Sequence, residues 1–310
     1  MRIVLLCKRH YTNQDLISNR FGRLYHLPIQ LGECGHEGLV VAADYLRGDP
    51  LEIEHEGVRF RSIPASAIGF SRYVAAVERI TRRFKPDVMI ASSDIPFGWL
   101  GARTGRRRGV PFVYDLYDNY EAFSSAKIPG MRAAHRKALR AADLVTCVGA
   151  PLEKAVGPHA RRTMIIPNGV DIELFRPIDR AEARSSANVD GGHGVIGYFG
   201  SMQPNHDVAT LIAAVAGLRE DGLDLRLLLA GKVVVDLDLD RRWIDSRGLV
   251  AQARIPELIN ACDVAVIPYR RDRWSDFTNA NKLFEYAACE VPIVTTRVSD
   301  YERHAAKPEA

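Results

Sequence analysis

Val195-Ile196-Gly197-Tyr198-Phe199-Gly200-Ser201-Met202-Gln203-Pro204-Asn205-His206 runs an apolar strand into a glycine turn, and a helical pattern follows over 208–218. A strand that meets a glycine and then a helix N-terminus aims free N–H groups and a positive dipole end at the sheet's carboxyl edge. Phosphate binds at such places. A plainer reading stays open, in which Gly200 permits a tight turn and Asn205 or Asp207 caps the helix. What the stretch decides is organisation, because it restarts an alternation of buried strand and helix that a polar segment has interrupted.

Upstream, the same alternation predicts strands at 2–7, 38–43, 86–91, 110–115, 144–148 and 164–167, with helices around 22–34 and 74–84. Downstream it predicts strands at 225–230, 264–268 and 292–296, with helices at 256–261 and 281–288. Continuous apolar strands separated by helices indicate parallel sheets covered on both faces. The interruption falls between Pro177 and Gly194, which is polar and ends in Gly191-Gly192. The expected division is therefore a domain over 1–175, a linker over 176–193 and a second domain over 194–310.

Composition agrees with this. The chain has 310 residues, 47% hydrophobic and 26% charged, and at about 150 residues per domain that length favours two domains. No run approaches the roughly 20 apolar residues of a membrane span, and the start at Met1 lacks a signal-peptide pattern. The five cysteines are scattered without a C-x-x-C pair, which argues against a disulfide framework or a cysteine zinc site and for a reducing cytoplasm. The net charge of +4 is unevenly distributed, with +9 on residues 1–168 and −5 on the remainder. A basic first half suggests an anionic neighbour. No aromatic–basic platform points to nucleic acid.

A second chemical segment is Asn279-Ala280-Asn281-Lys282-Leu283-Phe284-Glu285-Tyr286-Ala287-Ala288. Lys282 falls in the first turn of the predicted helix, where the dipole disfavours a cation. A bound phosphate would remove that conflict. Glu285 follows one turn later on the same face and could accept from ribose hydroxyls. An exposed Lys–Glu pair explains the same spacing.

The segment Lys282–Ala287 followed by Pro292-Ile293-Val294 resembles the nucleotide-sugar signature of glycosyltransferase family 4. Ile165-Ile166-Pro167-Asn168-Gly169-Val170-Asp171 with Phe175 and Pro177, Gly197–Ser201 through Leu211-Ile212, and Ile255–Leu258 with Cys262-Asp263-Val264 and Pro268-Tyr269 are similar to its other motifs, in order. The resemblance covers 110–296 well and 1–45 loosely. It implies a GT-B fold, α/β, with two Rossmann-like domains facing across a cleft and the second short at its C-terminus. It also implies retaining transfer of a sugar from a nucleotide-diphosphate donor to a hydroxyl acceptor, with no metal or other cofactor.

Carried over by position, Gly200, Ser201, Asn279, Ala280, Asn281, Lys282 and Glu285 are expected around the donor. Lys282 and Asp118 are the candidates for catalysis, Asp118 competing with a simple capping role. Gly22, Arg23 and His26 are expected on the acceptor side. The acceptor would be a saccharide or a lipid-linked sugar. The basic first half would allow peripheral contact with an anionic membrane from the cytoplasm.

Departures from the pattern are specific. Phe277 replaces the first of the family's two glutamates, with Asp276 adjacent. Ser201, Gln203 and His206 occupy the stretch that commonly holds an Arg and a Lys. Tyr117 stands where a first-domain His would fall, and the chain stops soon after Glu285. These favour, as the alternative, a catalytically weakened nucleotide-sugar-binding subunit. A GT-B epimerase has less motif support. An NAD dehydrogenase is disfavoured, since Gly98, Gly101 and Gly105 do not form the dinucleotide fingerprint.

Overall fold

The computed structural model describes residues 1–11, 14–20, 22–46, 48–65, 70–189 and 192–301. It divides into two compact units, Met1–Pro167 and Asn168–Ala310.

In the first unit the chain runs β1 (Arg2–Lys8), a hairpin of β2 (His10–Tyr11) and β3 (Gln14–Asp15), α1 (Arg23–Glu33), β4 (Glu37–Asp44), β5 (Leu51–His55), β6 (Val58–Pro64), α2 (Phe70–Phe84) and β7 (Val88–Ala91). It continues with α3 (Ile95–Arg108), β8 (Phe112–Leu116), α4 (Met131–Ala141), β9 (Leu144–Cys147), α5 (Ala150–Val156) and β10 (Thr163–Ile165). Among the described residues the main sheet is ordered β10-β9-β8-β7-β1-β4-β6-β5. It is parallel except for β5, which pairs antiparallel with β6. The centre is a run of buried Val4, Leu5, Leu6 and Cys7, with Leu5 opposite Val40 on one side and Ile90 on the other. Strand order reverses between β1 and β7, so the crevice of this unit opens at their carboxyl ends.

The second unit runs α6 (Arg180–Ser186), β11 (Gly194–Phe199), α7 (Val208–Glu220), β12 (Leu225–Ala230), β13 (Ile244–Ser246), α8 (Ile255–Asn260), β14 (Val264–Ile267), α9 (Asn281–Ala288) and β15 (Ile293–Thr295). Its sheet is wholly parallel among the described residues, ordered β13-β12-β11-β14-β15. Here the order reverses between β11 and β14. Gly200 and Tyr269 therefore stand at the switch point, where ligands of such sheets bind.

Part of the expected linker is helical. Residue 180 begins a helix capped by Asp179, whose carboxylate accepts from the N–H groups of Ala181 and Glu182 at 3.0 and 3.1 Å. Ala183 and Ala187, one turn apart, are buried with Phe175 in the second unit's core. Arg184 donates to Asp263 at 2.7 Å and to the Ala261 carbonyl at 3.0 Å. Two alanines make a narrow apolar stripe inside a polar composition. The two compact units divide between Pro167 and Asn168.

Candidate functional site

Unit 2 gathers most of the expected donor-side residues at the carboxyl edge of its sheet. Gly200 leaves β11 with φ of 140°, a conformation that an L side chain rarely adopts. A Cβ there would stand 2.5 Å from Lys282 Nζ. Gly231, at the end of β12, has φ of 141°, and its Cβ would fall 2.0 Å from the Gly200 carbonyl oxygen. The two glycine turns therefore lie backbone against backbone. Lys282 reaches them from the first turn of α9, whose N-cap Ala280 provides no side-chain cap.

Lys282 is held by aromatic side chains. Its Nζ donates to the Tyr269 hydroxyl at 3.0 Å and stands 5.4 and 5.5 Å from the ring centres of Tyr198 and Tyr269. Among the described residues no carboxylate lies within 4.0 Å of it. Tyr198 donates to the Ser201 carbonyl at 2.8 Å. His206 faces the same carbonyl through Nδ1, and its ring stacks on Tyr269 at 4.5 Å. Burial and the Lys282 charge push the His206 pKa down to about 4, so the ring is neutral at physiological pH. The site thus carries one cation where two would repel.

Glu285 is half-buried one turn beyond Lys282. Burial pushes its carboxyl pKa up and Lys282 opposes that shift. Among the described residues its carboxylate has no hydrogen-bond donor, so its acceptor capacity is open. The remaining residues of the segment are more committed than expected. The Asn279 side-chain oxygen accepts from the Asn168 N–H at 2.8 Å, and the Asn279 carbonyl accepts from the Asn168 amide at 2.6 Å. Its buried Nδ2 is left without a partner. The Ala280 N–H donates to the Tyr301 hydroxyl at 3.2 Å, so it is not a free backbone donor. Asn281 opens α9. Asp276 pairs with Arg271 at 3.1 Å rather than standing in for the absent glutamate.

In unit 1 the expectations change most. Gly22, with φ of 75°, is the N-cap of α1. Arg23 follows it, and its guanidinium is fully engaged. It forks onto Asp115 with contacts down to 2.7 Å and donates to the Ile166 and Pro167 carbonyls at 2.9 and 3.0 Å. Arg23 therefore braces the end of β8 against the chain leaving β10 and is not an open acceptor-side group. His26 is exposed, with its ring edge-on to Tyr25 at 5.2 Å. Asp118 accepts from the adjacent Asn119 N–H at 2.6 Å, while the cap of the short turn that follows is Asn119, whose side-chain oxygen accepts from the Glu121 N–H at 3.2 Å.

Asp115 was not among the expected residues, although Val113-Tyr114-Asp115 signals a charge at the end of a buried strand. It is 1% exposed and also accepts from Ser92 at 2.9 Å and Thr146 at 2.6 Å. Burial pushes its carboxyl pKa up, but the Arg23 charge and these hydrogen bonds outweigh it and hold the pKa below the usual carboxylate range. At the switch point of this unit Lys8 pairs with Asp94 at 2.8 Å, and Ser93 adopts φ of 87°. No set of three or more His, Cys, Asp or Glu side chains is arranged to hold a metal among the described residues. The five cysteines are free thiols.

Two family models match in tandem. One, described as "Glycosyl transferase 4-like domain", covers residues 23–169, and the other, "Glycosyl transferases group 1", covers 193–307. The chain belongs to glycosyltransferase family 4. The family-4 chain is 27% identical over 246 residues to a GDP-mannose-dependent alpha-mannosyltransferase of Mycolicibacterium smegmatis, an alignment covering 74% of this chain and 63% of that protein. It is 28% identical to D-inositol 3-phosphate glycosyltransferase 1 of Catenulispora acidiphila, covering 78% and 65%. The chain thus spans less than two thirds of the length of these curated relatives. Among solved structures, sucrose-phosphate synthase from Thermosynechococcus elongatus aligns with a TM-score of 0.76 at 17% identity, covering 98% of this chain and 83% of that one. Anabaena HepE in complex with UDP-glucose aligns at 0.71 and 19% identity, covering 99% and 83%. The fold is GT-B, with two Rossmann-like units.

Proposed function

We propose that this family-4 protein transfers a sugar, with retention, from a nucleotide-diphosphate donor to a hydroxyl acceptor in bacterial polysaccharide or glycolipid synthesis. The observation that carries the reading is Lys282 Nζ set against the Gly200 turn at the uncapped N-terminus of α9. An ammonium and a helix dipole converge there on space that only glycine leaves open.

In this reading Lys282, the first N–H groups of α9 and the turn at Gly200 and Ser201 bind the diphosphate. Their value is greatest as charge develops on the departing phosphate, because they need no reorganisation at that moment. The phosphate takes the acceptor's proton, so no strong protein base is required and no metal is invoked. Glu285 accepts from the donor ribose hydroxyls, a role favoured by a carboxylate left without donors among the described residues. Asn279 and Asn281 flank the sugar. Gly22, His26 and Asp118 stay with the acceptor half, where a saccharide or lipid-linked acceptor would come from an anionic membrane face.

Calorimetry with GDP-mannose, UDP-glucose, ADP-glucose and TDP-glucose tests the proposal, followed by transfer or hydrolysis assays with each binder. At least one donor should bind and turn over; no binding by any of them would refute it. Binding without turnover on any acceptor would favour a nucleotide-sugar-binding subunit. Glu285→Ala should weaken nucleotide affinity by about 10- to 100-fold, since hydrogen bonds to a charged group contribute about 1.5–3 kcal/mol. Unchanged affinity would remove its ribose role.

A further inference from the structure

Two basic side chains commonly serve the phosphate loop in this family, and neither is present in the stretch from Ser201 to His206. His206 cannot replace them, because it is neutral and its Nδ1 is turned to the Ser201 carbonyl. Lys282 is one cation, and a diphosphate needs more than one donor. The side chain in direct contact with Lys282 is Tyr269.

Tyr269 is 2% exposed at the carboxyl end of β14. Its oxygen accepts from Lys282 Nζ at 3.0 Å, and its own O–H proton has no acceptor among the described residues. Burial and the neighbouring Glu285 raise its pKa, so the phenol stays protonated and is a donor at neutral pH. An ammonium donating to the phenol oxygen polarises the O–H and makes it a stronger donor. The ring is packed on more than one side. His206 stacks on it at 4.5 Å and 15°, Trp274 packs at 5.6 Å, and Thr296 donates to the Tyr269 carbonyl at 2.6 Å. With Tyr198, the ring also restrains a long lysine stem whose place at a helix N-terminus is otherwise unfavourable.

We infer that Tyr269 is a second anion-binding group of the donor site, holding the Lys282 ammonium in place and donating its own hydroxyl proton to the same phosphate. This rests on the donor-site reading above. Lysine and tyrosine together then supply, from the ends of β14 and α9, what the loop after β11 lacks.

The test is Tyr269→Phe in the full chain, which keeps the stacked ring and removes one oxygen. Calorimetry with UDP, GDP and ADP, and with uridine, guanosine and adenosine, separates phosphate contacts from base and ribose contacts. The diphosphate that the wild type binds should bind the variant about 5- to 30-fold more weakly. The matching nucleoside should change less than twofold, and Tm should hold. On a Lys282→Ala background the same change should add less than threefold, because both groups act on one anion. Wild-type diphosphate affinity in Tyr269→Phe would overturn the inference, as would an equal loss for the nucleoside. Should Tyr269→Phe melt early, 3,5-difluorotyrosine at 269, whose hydroxyl ionises at much lower pH, should make diphosphate affinity fall as pH rises through that range; a flat profile overturns the inference. Failure of the wild type to bind any diphosphate would instead sink the donor site itself.

Discussion

Arg23 shows how a charged residue near an expected site can serve the fold. Its side chain is 8% exposed against an Asp115 carboxylate at 1%, so removing one partner strands the other in a low-dielectric interior. Arg23→Ala should cost about 3–5 kcal/mol, read as a fall in the urea midpoint. Arg23→Lys should recover only part, because an ammonium cannot reproduce the fork. Two histidines set the acid limit. His206 and His135 are both held to about 4, mainly by burial, against about 6.5 in an unfolded chain. The unfolded chain therefore takes up protons first. The stability they confer is complete above about pH 6.5 and is lost as pH falls towards about 4, by roughly 2–3 kcal/mol per histidine. The depressed Asp115 pKa adds a loss below about pH 3.9. Urea melts from pH 8 to pH 4 measure the histidine part, and a flat midpoint would contradict it.

At the scale of elements, glycine decides where backbones meet. Gly98 and Gly101 on α3 face Tyr114, Phe112 and Ala91, and a Cβ would stand 2.2 Å from the Tyr114 ring or 2.4 Å from the Phe112 ring. These residues fail as a dinucleotide motif but let α3 lie close on β7 and β8. Gly98→Ala should destabilise by about 1–3 kcal/mol through overpacking, with a lowered Tm and unchanged nucleotide affinity. Gly231→Ala should act differently, displacing the Gly200 carbonyl and weakening nucleotide binding at least tenfold along with stability. Elements with continuous apolar cores, such as β1, β4 and β11, were legible from their residues. The pair β5 and β6 carries the other strand signal, the alternation of apolar and charged residues in Leu51-Glu52-Ile53-Glu54-His55 and Val58-Arg59-Phe60-Arg61, which a search for continuous apolar runs passes over. Only one face of that edge is buried.

For the whole molecule, the uneven charge follows the unit boundary, since the +9 lies on residues 1–167. Part of it is neutralised locally, as Arg103, Arg107 and Arg108 converge on Glu78. Arg106, Arg132, Lys137 and Arg140 have no carboxylate within 4.0 Å among the described residues. A cavity of about 620 Å³ on this unit is also lined by Arg2, Arg59, Arg61, Arg79 and Arg83. No helix among the described residues is long and apolar enough to cross a membrane. The full chain should co-sediment with phosphatidylglycerol vesicles at low salt and be released as the Debye length shrinks to about 3 Å near 1 M salt. Equal affinity for phosphatidylcholine vesicles, or no binding to either, would refute a membrane role for the basic half.

By itself the sequence determined two α/β units, the family and the strand-turn-helix segments that carry Gly200, Lys282 and Glu285. Those follow from hydrophobic periodicity and from the backbone demands of glycine, both written in local order. Tertiary structure alone decided that the helix over 180–186 packs as part of the second unit and that Arg23 braces Asp115. It also decided that Tyr269, His206 and Tyr198 surround Lys282. These are contacts between residues far apart in the chain, and partners brought together by sheet topology leave no spacing in the sequence to read.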